Sequence, residues 1–229
     1  MSVYAAFHNP AIPLTEAICE GGAGWMYGKP TVQMHVGGWP ALVSAIKAGA
    51  KRLPPIDPDK VKRYWDGAKP NAVALSNFYE DRFDEYHAEQ LRIALAPAKE
   101  RGLKTAHYGM PSFDERVTYD TFWPIVSDVI DIVAPGYYAT NADPVKTWTA
   151  TDKRRMKLQQ LKAETFGKRL GFVVSPHTHQ GRAIHATKFQ AQLNMLWADD
   201  VFVWCKQENA AKAETVAAAT MAAKVEMQD

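Results

Sequence analysis

Glu80 has the residue type and the surroundings of a catalytic acid. It follows an apolar segment over 72–78 and stands beside the aromatic side chains of Phe78 and Tyr79. An apolar setting raises the pKa of a carboxyl group, and cleavage of a glycosidic bond needs an acid that stays protonated. Asp81 is the nearest second carboxylate in the sequence. The pattern therefore predicts Glu80 and Asp81 as catalytic residues, although Asp81 also fits a solvated loop position.

Aromatic, amide, imidazole and carboxylate groups follow the other apolar segments of the chain as well. The apolar C–H faces of a sugar ring stack on Tyr and Trp, while its hydroxyls bond to amides, imidazoles and carboxylates. This mixture predicts an oligo- or polysaccharide substrate and requires no cofactor and no bound metal. The residues predicted to contact that substrate are His8, Asn9, His35, Asn77, Tyr108, Tyr138, His177, Trp204 and Glu208.

The adjacent tyrosines Tyr137 and Tyr138 have a second predicted role. In a substrate-assisted reaction the N-acetyl group of the sugar is the nucleophile, so that one acid suffices. Tyr137 or Tyr138 would then orient this group, and we assign that catalytic role to Tyr137. An equally weighted alternative is that one tyrosine packs inward and the other packs against a helix.

Histidines follow several of the same apolar segments, which suggests a metal-dependent hydrolase as an alternative. The five are His8, His35, His107, His177 and His179. Imidazoles gathered in this way bind zinc and related ions, and a metal-bound water then acts as the nucleophile. However, metal-dependent barrel hydrolases usually carry His-x-His on the first strand and a metal-binding Asp after the last. In this chain His-x-His occurs late, and no Asp follows the last apolar segment. We therefore prefer histidines that donate hydrogen bonds to the substrate or to neighbouring loops.

The elements that must position these groups alternate regularly from residue 72 onward. Short apolar segments predict strands, and segments with apolar residues three and four apart predict helices. Parallel strands need helical crossovers, so this alternation indicates an α/β protein. The predicted strands cover 72–78, 104–108, 131–138, 170–175 and 201–205, and the predicted helices cover 84–101, 119–129, 144–166, 186–197 and 210–227.

The first third of the chain is less regular. It contains predicted strands over 3–7, 31–36 and near 50–53, with helices over 16–24 and 58–66. No GxGxxG or Walker loop follows any strand, so an open doubly wound sheet is disfavoured. We predict one domain over 1–229, a TIM-type (β/α) barrel of seven or eight parallel strands. Active sites of such barrels form at the C-terminal strand ends, where the residues above fall.

The order of these segments resembles the TIM-barrel glycoside hydrolases related to hyaluronidase over most of the chain. The segment His8-Asn9-Pro10 is similar to the turn after the family's first strand, and Tyr108, Tyr137 and Trp204 match its later aromatic positions. The resemblance implies a glycan-acting hydrolase in which a carboxylate pair ends the fourth strand.

The chain departs from this family at the carboxylate pair. Ser76 stands where the family has Asp, and Phe78 stands where it has Glu. Glu80 shares strand parity with Phe78 and would face the site in a longer strand. The departure leaves open a third hypothesis, a non-catalytic carbohydrate-binding barrel.

Composition and the N-terminal sequence argue against several kinds of partner and location. The 229 residues include 27 basic and 25 acidic side chains, a net charge of +2, which does not favour a nucleic-acid or membrane partner. The N-terminus lacks a signal-peptide pattern, and Cys19 and Cys205 are expected to be reduced thiols. We therefore expect a cytoplasmic protein, or one that is phage-borne or released without a signal peptide. The oligomeric state stays open.

Overall fold

The computed structural model describes part of the chain, mostly its central and C-terminal thirds. Several predicted elements lie outside the described residues, including the strands over 31–36 and near 50–53 and the helix over 210–227. The described residues are 2–5, 23–25, 55–66, 73–76, 84–108, 119–139, 143, 156–157, 160, 163–164, 166–178, 180–196 and 198–203.

Parallel strands and the helices between them make up most of this part of the chain. The strands are β1 (Ser2–Ala5), β2 (Ala23–Trp25), β3 (Val73–Ser76), β4 (Lys104–Tyr108), β5 (Ile132–Ala134), β6 (Arg169–Val174) and β7 (Asp200–Val203). The helices are α1 (Pro58–Asp66), α2 (Glu85–Glu100), α3 (Tyr119–Val126) and α4 (Ala186–Asn194). Residues 156–157, 160 and 163–164 are also helical.

The strand order places the first strand of the chain beside the last. The sheet runs β1-β7-β6-β5-β4-β3-β2, every pairing is parallel, and Val3 of the first strand lies opposite Val201 of the last. An open doubly wound sheet keeps its first strand inside the sheet, whereas a barrel brings first and last strands together. The α/β class and the parallel sheet are confirmed. Closure into seven or eight strands involves residues outside the described ones and stays a prediction.

The sheet is strongly curled. Some Cα atoms of β5 and β7 lie within 8 Å of each other although β6 separates the two strands. In a flat sheet, strands separated by one neighbour are about 9 to 10 Å apart. The curl gives the sheet a concave and a convex face, as a barrel wall requires.

Each face of the sheet has its own apolar cluster. The interior cluster on the concave face consists of Val73, Leu75, Ala106, Ile132, Ala134, Val173 and Phe202. The helix-side cluster contains alternate strand residues such as Ala74, Val133 and Val201, together with helix residues such as Leu91 and Phe189. Because side chains alternate along a strand, these two clusters show which face each strand position occupies.

The boundaries of α2 follow the sequence signals. Asp84 is its N-cap, and the Asp84 carboxylate accepts a hydrogen bond from the His87 backbone N–H at 3.1 Å. Gly102 follows the helix with φ of +75°, a conformation that suits glycine. Trp65 is buried, and its indole N–H donates to the Ala94 carbonyl at 2.7 Å, which holds α1 against α2.

Several predicted boundaries were wrong. β5 ends at Ala134 instead of Tyr138, because Pro135 has no N–H to continue the ladder. The helix predicted over 119–129 ends at Val126. The backbone N–H groups of Val129 and Ile130 both donate to the Val126 carbonyl and form a turn there. Residues 23–24, predicted as helical, belong to β2 instead.

The structure also bears on membrane insertion. No helix in the described part of the chain is both long enough and apolar enough to cross a bilayer.

Candidate functional site

Two tyrosines meet where β4 and β5 end. Tyr108 is the last residue of β4, and Tyr138 follows β5 after a short irregular segment. The Tyr138 hydroxyl donates a hydrogen bond to the Tyr108 hydroxyl at 3.1 Å, and the rings meet edge to face with centroids 6.5 Å apart. Both side chains are half-buried and pack on the interior cluster. We call Tyr108 and Tyr138 the tyrosine pair, and this C-terminal end of the curled sheet the mouth.

The backbone after β5 explains why Tyr138, and not Tyr137, belongs to this pair. The Val173 N–H donates to the Pro135 carbonyl at 3.0 Å, and the Tyr137 N–H donates to the Val173 carbonyl at 2.7 Å. The chain therefore stays attached to β6 beyond the end of β5, and Tyr138 keeps the interior position. The Tyr137 side chain packs against the helix-side cluster.

This arrangement matches the alternative in which one tyrosine packs inward and the other against a helix. The wholly buried Gln192 of α4 also holds this segment, because its Nε2 donates to the Tyr137 carbonyl at 3.5 Å. The catalytic role assigned to Tyr137 stays a prediction. Of the two residues, Tyr138 has the side chain on the interior face.

Gly136 lies directly against the tyrosine pair. A Cβ atom at this position would lie 2.9 Å from Tyr108 Cε2, 3.0 Å from Tyr138 Cε2 and 3.1 Å from the Tyr108 hydroxyl oxygen. The sequence analysis did not select this residue. The available signal was an isolated glycine beside a proline at a strand end, a pattern that marks close approach of other groups to the backbone.

His177 is held in a hairpin after β6. Its ring is almost fully buried, and Nδ1 lies 2.9 Å from the Thr178 carbonyl oxygen. Because a carbonyl only accepts, Nδ1 carries the hydrogen. The Thr178 N–H donates to the Arg182 carbonyl at 2.7 Å, and Gly181 takes φ of +83° in the turn.

The hairpin also bears on the metal-dependent alternative. β6 ends at Val174, so His177 and His179 are not successive same-face positions of that strand. His177 instead forms an isolated antiparallel bridge with Ala183. His179 lies outside the described residues.

His107 also departs from its predicted place. Ala106 and Tyr108 belong to the concave face, so His107 between them lies on the helix side of β4, where it is almost fully buried. Within the described residues, no three His, Cys, Asp or Glu side chains are placed to hold a metal ion. His8 and His35 are not among the residues described. His107 therefore does not face the interior with the tyrosine pair.

The remaining predicted site residues lie outside the described residues. They are His8, Asn9, His35, Asn77, Glu80, Asp81, Trp204 and Glu208. Within β3, Val73 and Leu75 place the odd-numbered positions on the concave face.

Charged residues gather at the opposite, N-terminal edge of the sheet. Asp131 forms an ion pair with Lys99 and accepts hydrogen bonds from the Thr105 backbone N–H at 3.0 Å and the Thr105 hydroxyl at 3.2 Å. Burial raises the pKa of Asp131, but the bonds from Lys99 and Thr105 outweigh it and leave that pKa below its ordinary value. Burial lowers the pKa of the neighbouring Lys168, which donates to the Ser127 carbonyl.

A second ion pair lies at the same edge. Arg169 at the start of β6 binds the wholly buried carboxylate of Asp200 at the start of β7, with N···O distances of 2.8 and 3.1 Å. A depression of about 330 Å³ opens beside it, lined by residues that include Lys104. We call Lys99, Thr105, Asp131, Lys168 and the Arg169–Asp200 pair the basal network.

Comparison with known proteins gives distant structural likenesses only. No protein-family model and no curated protein matches the chain. The chain is similar to a double mutant of the endo-beta-1,4-mannanase of Cellulomonas fimi, with a TM-score of 0.49 and 11% identity over 89% of this chain and 51% of that one. It thus spans about half the length of the mannanase.

Two further solved structures belong to other enzyme classes. A sugar phosphate isomerase/epimerase from Parabacteroides distasonis has a TM-score of 0.39 and 8% identity over 75% of this chain and 67% of that one. A truncated 3-deoxy-D-arabino-heptulosonate 7-phosphate synthase from Thermotoga maritima has a TM-score of 0.32 and 11% identity over 74% and 78% of the two chains. Scores and identities this low carry no evidence of shared function.

Proposed function

We propose that this chain is a glycan-acting hydrolase that binds a saccharide at the mouth and cleaves its glycosidic bond with Glu80 as the acid. The observation that carries the proposal is the tyrosine pair, two half-buried rings with bonded hydroxyls above the apolar interior cluster. This combination of aromatic surface and neutral hydroxyl groups suits a ligand with apolar ring faces and many hydroxyls.

The sequence predicts two further contacts of the same character. Asn77 and Trp204 follow β3 and β7 in the chain. An amide offers both donors and acceptors to sugar hydroxyls, and an indole offers a wide stacking surface. These four side chains together would bind a sugar ring without any charged contact.

The roles of the other predicted residues follow from this arrangement. Glu80 protonates the leaving oxygen, and Asp81 is the second carboxylate of a two-carboxylate mechanism. If the sugar carries an N-acetyl group, a tyrosine orients that group in a substrate-assisted reaction. The interior position of Tyr138 makes it a better candidate for that role than Tyr137.

A non-catalytic carbohydrate-binding protein is the second candidate, and one observation favours it. The parity of β3 assigns even-numbered positions to the helix side, since Ala74 belongs to the helix-side cluster. Glu80 therefore reaches the mouth only if the segment after Ser76 turns it inward. Without that turn the mouth binds sugar and has no acid from this strand.

Two measurements on the same variants test the proposal. Binding to oligosaccharides of β-1,4-mannan, hyaluronan and chitin is measured by calorimetry, and cleavage is measured as released reducing ends. Glu80→Gln is expected to abolish cleavage and retain binding. Glu85→Gln is the matched control, because Glu85 lies in the first turn of α2 and is exposed.

Each outcome has a distinct meaning. Cleavage that survives Glu80→Gln contradicts the assignment of the acid. Binding without cleavage by the wild-type protein supports the non-catalytic candidate. A wild-type protein that binds none of the three oligosaccharides contradicts both.

A further inference from the structure

We propose that Gly136 is the positioning residue of the mouth, because the absence of a side chain there lets Tyr108 and Tyr138 join their hydroxyls into one recognition unit for sugar hydroxyls. The ligand part of this inference rests on the proposed function, whereas the geometric part does not.

The backbone at Gly136 is held in place by its hydrogen-bonded attachment to β6. Gly136 forms a bridge with Val173, and the residues on either side of it exchange hydrogen bonds with Val173 at 3.0 and 2.7 Å. The glycine therefore cannot withdraw from the tyrosines without breaking its attachment to β6. Any added side chain must be accommodated by movement of the rings.

The distances show which atoms would have to move. The three nearest neighbours of a Cβ at Gly136 are outer ring or hydroxyl atoms of the tyrosine pair, at 2.9 to 3.1 Å. Carbon atoms in contact normally lie about 3.5 to 4.0 Å apart. An alanine would thus push Tyr108 aside at the hydroxyl that accepts the bond from Tyr138.

The hydroxyl pair has a chemical consequence for binding. A hydroxyl that already takes part in one hydrogen bond is polarised and forms the next one more strongly. Two joined tyrosyl hydroxyls thus present a fixed pair of donors and acceptors to a neutral ligand with several hydroxyls. Separation of the rings leaves two independent hydroxyls with less defined positions.

Gly171 provides a matched control. It lies on β6 against the interior cluster, where a Cβ would lie 3.0 Å from Ile132 Cγ2, 3.1 Å from Phe202 Cε2 and 3.2 Å from the Asp200 carbonyl oxygen. Gly136 and Gly171 are thus similarly crowded. Only Gly136 has the tyrosine pair as its nearest neighbours.

The geometric part is tested without a ligand. Tyrosine is labelled with ¹³C at Cζ, and the signals of Tyr108 and Tyr138 are assigned with Tyr108→Phe and Tyr138→Phe. Gly136→Ala is expected to shift both signals, and Gly171→Ala is expected to leave both in place. Unchanged signals in folded Gly136→Ala overturn the inference, whatever the protein binds.

The recognition part uses the three oligosaccharides of the binding assay. Gly136→Ala is expected to weaken binding by about tenfold, the effect of losing one good hydrogen bond, while Gly171→Ala binds as the wild type does. Equal binding by wild type and Gly136→Ala overturns the recognition role. If the wild type binds none of them, the proposed function fails, and the labelled signals alone decide the positioning role.

A double variant covers the case in which Gly136→Ala does not fold. Tyr108 supplies two of the three nearest atoms, so Tyr108→Ala removes most of the conflict. Recovery of folding in the Gly136→Ala/Tyr108→Ala double variant supports the inference. A double variant that also fails to fold, where Tyr108→Ala alone folds, overturns it.

Discussion

Within the described residues, the two edges of the curled sheet differ in chemistry. At the C-terminal edge, the mouth presents the tyrosine pair against Gly136, held by a hydrogen bond between neutral hydroxyls. At the N-terminal edge, the basal network consists largely of charged groups in ion pairs and hydrogen bonds. We therefore expect the basal edge to contribute mainly to stability and the mouth to bind the proposed ligand.

A physical reason underlies this division. Charge is expensive to bury unless it is paired, and pairing consumes the hydrogen-bonding capacity that a ligand would need. The buried carboxylate of Asp200 is bound by two nitrogens of Arg169. Half-buried tyrosines need no such compensation and remain partly accessible.

The largest expected effect is at the basal ion pair. Arg169→Ala should lower the free energy of unfolding by about 3 kcal/mol, because it leaves the buried Asp200 carboxylate without its bidentate partner. Lys104→Ala, at an exposed position at the start of β4, is the control and should change stability by less than about 0.5 kcal/mol. Urea denaturation of both variants measures the difference, and equal midpoints would contradict it.

A smaller loss of stability is expected at Thr105. Its buried hydroxyl donates to the Val129 carbonyl at 2.6 Å, so Thr105→Val leaves that carbonyl without this donor and should destabilise by about 1 to 2 kcal/mol. Thr187→Val on the exposed side of α4 is the matched control. Oligosaccharide binding should be unchanged in both variants. A loss of binding in Thr105→Val would contradict the separation of stability at the basal edge from ligand binding at the mouth.

The basal network also predicts how stability responds to acid. Since the pKa of Asp131 is lowered in the folded state, its contribution is present above the unfolded value of about 4 and is lost as the pH falls through the folded pKa. Asp131→Asn should therefore flatten the fall in stability between about pH 5 and pH 2 relative to wild type.

Urea midpoints measured across that pH range test the prediction. Glu89→Gln, at an exposed position of α2, is the control and should retain the acid dependence of the wild type. An Asp131→Asn profile parallel to the wild-type profile would show that other carboxylates cause the acid response.

The smallest effect on stability is expected at the mouth. Tyr138→Phe removes one partly accessible hydroxyl and keeps the ring, so it should cost about 0.5 kcal/mol or less. The same change should weaken oligosaccharide binding by about tenfold, whereas Tyr86→Phe on α2 should not. A Tyr138→Phe variant that is as destabilised as Thr105→Val would mean that the pair stabilises the fold and does not serve a ligand.

Local signals predicted some elements closely. The predicted strand over 104–108 and the predicted helix over 58–66 coincide with β4 and α1, and the predicted helix over 84–101 lies within one residue of α2 at each end. β2 was missed because its three residues, Ala23 to Trp25, are stabilised by pairing with Val73 to Leu75 some fifty residues later. No local pattern reports a pairing between segments that far apart.

Prediction of the candidate site was limited in the same way, because its geometry depends on contacts between distant segments. The sequence selected Tyr108 and Tyr138 by type and position, but it did not distinguish Tyr138 from Tyr137 or select Gly136. Those choices depend on Pro135, which ends the β5 ladder, and on Val173, which holds the next residues on β6. His107 was misplaced because its strand parity became known only from the interior cluster.

The sequence by itself therefore determined the alternation of strands and helices and the aromatic, hydroxyl-rich character of one edge. These properties depend on composition and on spacing within single elements. Tertiary structure alone decided the pairing of the first strand with the last, the face that each side chain occupies and the contact of Gly136 with two tyrosines. Each of those depends on hydrogen bonds and packing between segments distant in the chain, where the pairing partner and not the local residues sets the geometry.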